Sequence, residues 1–241
     1  MYQLGYVNRF DVWVPHKLSK KTLLDHISAC DSLLRHNKNV SFLEQIVAGN
    51  EKWILYNNME QKRSWGKRNE PPPTTPKTGL HPKKVMLCVC VYLPWDWKGV
   101  LYYELLLENE TINSNKCCSQ LDQLKAALDK KCPELVNRKR IIFHRDTTRP
   151  HVSLMTRQKL LQLGREVLIH LLYSPDTAPL DFHLFRSLQN SLNGKNFNSL
   201  EDCKRHLEQF FTQKKVFEDG IMKLPEKWQK VVEQNSEYVV Q

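Results

Sequence analysis

Two short apolar runs, each ending just ahead of an acid, constrain this chain more than any other feature. Arg140-Ile141-Ile142-Phe143 leads to Asp146, and Val167-Leu168-Ile169-His170-Leu171-Leu172 leads to Asp181. Runs this short and this apolar read as buried strands. Thirty-four residues, positions 147–180, separate the two acids. In an α/β sheet, chemistry gathers beyond the carboxyl ends of strands. Two carboxylates placed there point to a site for a hard cation.

The remaining pattern supplies the layers around those strands. Leu23, Leu24, Ile27, Leu33 and Leu34 recur at helical spacing over 20–38, with Ser19 as an N-cap. Strands are expected over 45–56, 85–93 and 100–107, the last two joined by Trp95-Asp96-Trp97-Lys98-Gly99. Helices are expected over 121–128, over 152–163 with Gly164 as cap, and after Pro179 with Asp181 in the first turn. Two further helical segments, 199–213 and 217–234, close the chain. Three strands joined as a meander, then helix–strand–helix–strand–helix, predict an α/β fold: a mixed sheet flanked by helices. The ribonuclease-H-like fold has this order. There the first strand lies beside the fourth, so a mid-strand residue of the first would face Asp146.

Charge narrows the partner. The formal net charge is +10, which favours a polyanion. From Lys62 to Lys84 the chain carries Lys62, Arg63, Lys67, Arg68, Lys77, Lys83 and Lys84 against the single acid Glu70, with Pro71-Pro72-Pro73 and Pro76 among them. A proline-rich basic stretch between two strands is expected to be a surface loop suited to phosphate contacts. Seven cysteines without zinc or CxxC spacing predict a reduced intracellular setting and no structural zinc, and Cys117-Cys118 reads as incidental. No apolar stretch approaches the roughly 20 residues that span a membrane, and the N-terminus has no signal-peptide pattern.

Several segments together resemble the mariner-type transposases of the Tc1/mariner superfamily, over essentially all 241 residues. They are VWVPHKL at 12–18, NEKWILY at 50–56, HPKKVML at 81–87, GVLYYELL at 99–106, RPH at 149–151, YSPD at 173–176 with Asp181-Phe182-His183-Leu184-Phe185, and KLPEKWQK at 223–230. The 34-residue acid spacing is the mariner value. The resemblance implies a ribonuclease-H-like catalytic domain over 41–241, preceded by a linker arm and helix over 1–40. It implies DNA cleavage and strand transfer by three aspartates holding two Mg2+ or Mn2+ ions, in a nuclear protein. Two cations about 3.5–4 Å apart suit an anionic phosphoryl transition state. Asp146 and Asp181 would be ligands. Lys62, Arg63, Lys67, Arg68 and Arg149 would contact DNA. Val12, Trp13, Val14, Pro15 and His16 would join two copies as a homodimer.

Departures from the family pattern bear on activity. The first aspartate of the triad is Asn50 here, so the triad falls from three formal charges to two. The amide oxygen is either a weak ligand or simply a hydrogen-bonded strand group. Glu51 is not expected to replace it, because neighbouring strand residues point to opposite faces. Arg145 stands where relatives carry a neutral residue, and Thr147-Thr148 replace Asn-Ala. His151 either supports the site or caps the following helix, and Asp176 reads as a turn residue. Met1 falls just before the linker motif, so the helix-turn-helix modules that read the transposon end are expected to be missing. The expectation is a transposase catalytic domain impaired in cleavage. The alternatives are a catalytically dead DNA-binding and dimerisation module, and a remnant with no activity.

Overall fold

The computed structural model describes residues 6–9, 19–39, 42–58, 64–67, 82–92, 100–107, 110–133, 141–146, 148–168, 174, 177–212 and 222–233. Seven strands and seven α-helices lie within them. The strands are β1 (Tyr6–Arg9), β2 (Ile46–Leu55), β3 (Ser64–Lys67), β4 (Lys84–Tyr92), β5 (Val100–Leu105), β6 (Ile142–His144) and β7 (Glu166–Leu168). The helices are α1 (Lys20–Asn39), α2 (Ser114–Lys131), α3 (Arg149–Val152), α4 (Leu154–Gln162), α5 (Arg186–Leu192), α6 (Leu200–Phe211) and α7 (Leu224–Glu233). A π-helical turn, Leu180–Phe185, runs straight into α5.

The main sheet has the order β5-β4-β2-β6-β7. β2, β4 and β5 form the antiparallel meander, while β6 runs parallel to both β2 and β7. This is the mixed sheet of the ribonuclease-H-like fold, with the first strand of the sheet beside the fourth. Val47 pairs with Phe143 and Ala48 with His144. Asn50 therefore stands just past the end of β6, beside the loop that carries Asp146.

Alternation along β2 decides what each side of the sheet receives. Ala48 and Ile54 join Val85, Leu87, Val89 and Val91 against Leu184, Leu188 and Leu192 of the π turn and α5, with Leu207 and Phe210 of α6 behind. Val47 faces the other way, onto Leu121, Leu124 and Leu128 of α2 and Leu160 of α4. A third cluster joins α1 to α7: Cys30, Phe42, Ile46 and Ile142 pack on Leu224, Trp228 and Val231. No helix among the described residues is long and apolar enough to cross a membrane.

The structure departs from the expected elements at four places. In α1 the fully buried positions are His26 and Cys30; Leu33 and Leu34 of the expected stripe pack partly buried beside them, while Leu24 is 66% exposed. The Ser19 cap is present, its hydroxyl accepting from Thr22 N–H at 3.2 Å. α2 begins seven residues before the expected start, because the Asn113 side chain accepts from Lys116 N–H and caps it there. The single helix expected over 152–163 is two: Ser153 is extended and its hydroxyl accepts from Thr156 N–H, starting α4 afresh. Finally, part of the expected surface loop is paired. Ser64–Lys67 forms a two-stranded antiparallel ribbon with Tyr6–Arg9 of the same chain. β7 comprises Glu166–Leu168, and the rest of that apolar run, 169–172, lies outside the described residues.

Candidate active site

The site is assembled at the carboxyl end of β6. Asp146 follows that strand by two residues, Asn50 lies mid-way along β2, and Asp181 sits in the first turn of the π-helical segment. Single-turn π segments recur at functional sites. A small pocket lined by Gly49, Asn50, His144, Asp146, Ala178 and Leu180 opens between them.

Asn50 and Asp181 meet directly. Asn50 Nδ2 donates to Asp181 Oδ2 at 2.9 Å. Asn50 Oδ1 accepts from the backbone N–H of Glu51 at 2.7 Å. That N–H lies beyond the last β6 partner of β2, which is Ala48, so no β6 carbonyl takes it. The two contacts assign the amide: an N–H must face an acceptor and a carboxylate must face a donor. The oxygen that could ligate a metal is thus turned to the backbone, and the amide presents its NH2 to Asp181.

Burial pushes the Asp181 carboxyl up to about 6; Asn50 and Lys52 hold it down, while Asp146 and Glu51 push the same way as burial. Lys52 shares the Asn50 side of β2, with Nζ 5.8 Å from the Phe185 ring centre. Asp146 Oδ1 accepts from Thr148 N–H at 3.2 Å and from the Thr148 hydroxyl at 2.9 Å. His151 Nε2 stands 3.4 Å from the same oxygen.

On the other face of β2, Glu51 enters a buried polar cluster. Its Oε2 is 3.3 Å from His151 Nε2, and its Oε1 is 3.6 Å from Arg145 Nη2, an ion pair rather than a hydrogen bond. Cys117 Sγ, on α2, is 3.4 Å from both His151 Nδ1 and Arg145 Nη1. Burial opposes the charge on Glu51, yet His151 and Arg145 outweigh it and hold the carboxyl below its usual range. Burial likewise opposes a charged His151, but Cys117 and Glu51 raise it to about 9. A Cβ at Gly49 would stand 3.3 Å from Cys90 Sγ, a tight approach, and 3.6 Å from Arg145 Cγ, an ordinary contact.

Of the residues expected at the site, Asn50, Asp146 and Asp181 come together. Arg149 is exposed at the start of α3. His151 is not a cap: Thr148 occupies the N-cap position, and the imidazole is buried between two carboxylates. Lys67 closes β3, while Lys62, Arg63, Arg68, Asp176 and the arm residues Val12, Trp13, Val14, Pro15 and His16 lie outside the described residues. Cys117 is not incidental; it is fully buried and joins His151 to Arg145. Arg145 directly after a buried strand was the available signal, since a buried guanidinium calls for an acid. Glu51, Asp146 and His151 also place three possible ligand atoms within 4.8 Å of one another.

Comparison with known proteins agrees with this geometry. Residues 55–138 match the family described as transposase (partial DDE domain). The chain is 38% identical over 240 residues to the mariner Mos1 transposase of Drosophila mauritiana, covering 98% of this chain and 68% of that protein. It is 39% identical over 238 residues to the human histone-lysine N-methyltransferase SETMAR, covering 98% of this chain but 34% of that protein. The crystal structure of the Mos1 catalytic domain superposes with a TM-score of 0.79 at 37% identity, over 95% of this chain and all of that one. Mos1 paired-end complexes with Mn and with Mg each superpose with a TM-score of 0.84 at 38% identity, over 98% and 99% of this chain and 69% of theirs. The chain spans about two thirds of the Mos1 transposase and a third of SETMAR, and across that span its sequence and its ribonuclease-H-like fold make it a member of the mariner transposase family.

Proposed function

We propose that this chain is a mariner-type catalytic domain that binds DNA and a divalent cation through Asp146 and Asp181, and that cleaves poorly. Asp146 and Asn50 line the pocket and Asp181 is hydrogen-bonded to Asn50, so two carboxylates, the donors a hard cation needs, stand beside it. A cation held there would supply positive charge to an anionic phosphoryl transition state. Asp146 would offer the oxygen not engaged by Thr148. Asp181 would have to share its carboxylate with the Asn50 amide.

One observation carries the impaired part of the reading: Asn50 Oδ1 is already taken by the Glu51 N–H, and Nδ2 by Asp181. Two neighbouring carboxylates repel and gain from a cation between them. An amide hydrogen-bonded to a carboxylate is satisfied without one. Plasmid nicking with magnesium and with manganese tests this, on the wild type and on Asn50→Asp. Little cleavage from the wild type and partial recovery in Asn50→Asp are expected. Robust magnesium-dependent nicking by the wild type, lost in Asp146→Ala, would refute the impairment.

The DNA surface is proposed from charge. The Mos1 relatives are paired-end complexes, and the stretch from Lys62 to Lys84 is strongly basic. Replacing Lys62, Arg63, Lys67 and Arg68 by alanine should reduce the slope of log affinity against log salt by about 0.9 for each phosphate no longer neutralised. An unchanged slope would place the DNA surface elsewhere. A homodimer joined through Val12–His16 is expected to sediment at twice the chain mass, and Trp13→Ala to shift it toward monomer.

A further inference from the structure

We infer that His151, held by Glu51, is a positioning residue that fixes which oxygen of Asp146 reaches the cation; this rests on the proposed metal-binding reading. Asp146 Oδ1 faces three groups. Thr148 donates to it twice, and His151 Nε2 lies 3.4 Å away. Among the described residues no hydrogen bond reaches Oδ2. One oxygen is therefore anchored and the other presented. The Thr148 contacts are local, within two residues, and move with the loop. His151 is the contact that ties Asp146 to the rest of the molecule.

That imidazole is itself held from several directions. Glu51 of β2 takes Nε2, and Cys117 of α2 contacts Nδ1. Arg145 closes the ring by contacting both Glu51 and Cys117. His151 and Arg145 have side chains 4% and 8% exposed, so neither can swing into solvent without leaving a buried partner. The ring spans β2, α2, α3 and the β6–α3 loop, and it meets the pocket only at Asp146. Supporting groups of this kind orient ligands, and their loss costs about 10–100-fold in metal affinity. Asn50, on the opposite face of β2, meets the ring's residues only at the Glu51 backbone and contacts none of their side chains, so a change at that position leaves this support in place.

Manganese titration followed by electron paramagnetic resonance tests the inference, in the wild type and in the Asn50→Asp background. His151→Leu should weaken manganese about tenfold. His151→Gln, whose amide can reach the same two carboxylates, should restore affinity to within about threefold. Leu160→Ala disturbs packing beneath the same region without changing a polar contact, and should leave affinity unaltered. Should His151→Leu fail to fold, Glu51→Gln reads the same contact and should also weaken manganese. Equal affinity in His151→Leu and its parent, or equal loss in Leu160→Ala, would overturn the positioning role alone. Absence of manganese binding in both backgrounds would overturn the metal-binding reading and this inference with it.

Discussion

Asn50 and Glu51 are consecutive residues of one strand, yet they serve different halves of the molecule. Asn50 faces the π turn and a pocket, donates one hydrogen bond to Asp181 of that turn, and leaves Asp181 a partly compensated carboxylate. Glu51 faces α2 and a closed group of Arg145, His151 and Cys117. The first side is short of positive charge and suits a cation from outside. The second carries its own counter-charges in Arg145 and His151. A substitution on the pocket side can therefore be tolerated by the fold, because only the half-buried Asp181 depends on it. On the other side the acid is structural, because a buried guanidinium depends on it.

The largest expected effect tests that asymmetry. Glu51→Leu leaves Arg145 buried without its acid, and breaking a buried pair this way costs about 3–5 kcal/mol. Urea unfolding measures it. A loss below about 1 kcal/mol would show that Arg145 relies on another partner.

Asn50→Asp comes next. Without metal it replaces a hydrogen bond to a carboxylate by a second carboxylate, at a cost of about 2 kcal/mol. Saturating manganese should reverse the loss, since a ligand that binds only the folded state stabilises it. Thermal melts with and without manganese should show a larger metal-induced rise in Asn50→Asp than in the wild type. Equal rises would mean that Asn50 already serves the metal.

The two faces should also titrate apart. Asp181 is raised from 3.8 to about 6 in the folded chain, so its contribution is complete below pH 4 and lost as pH rises through about 6. His151 is raised from 6.5 to about 9, so its contribution is complete below pH 6.5 and lost as pH rises through about 9. Each window has a slope of at most about 1.4 kcal/mol per pH unit. Stability measured across pH should lose the alkaline window in Glu51→Gln and keep the acidic one. Loss of both together would mean that the two faces are coupled.

The smallest effect is at Gly49, which lies between the two sites. An added Cβ at 3.3 Å from Cys90 Sγ crowds the Arg145 side of the sheet. Gly49→Ala is expected to cost about 1 kcal/mol in unfolding, with manganese affinity in the Asn50→Asp background unchanged. A change in affinity without a change in stability would place Gly49 in the metal pocket instead.

Local patterns carried much of the fold. The apolar runs before Asp146 and Asp181 marked β6 and β7, although β7 is an edge strand with Val167 exposed rather than a buried one. The parity of β2 alone puts Asn50 and Glu51 on opposite faces, because alternation is a property of the extended backbone itself. That Asn50 stands in the place of a triad aspartate is an expectation from the motif around it. The arm at 10–18 and most of the basic stretch are outside the described residues, so they stay with the sequence.

Other features could not be read locally. That Asn50 turns its oxygen to its neighbour's N–H depends on where β6 stops beside β2. The Arg145–Cys117, Glu51–His151 and Asn50–Asp181 contacts join residues 28, 100 and 131 positions apart. Sequence alone determined which residue types stand at each strand end and which face they take. Tertiary structure decided which of them touch. A side chain's partner is set by the strand order and by the helix packed against its face, and periodicity along one segment contains neither.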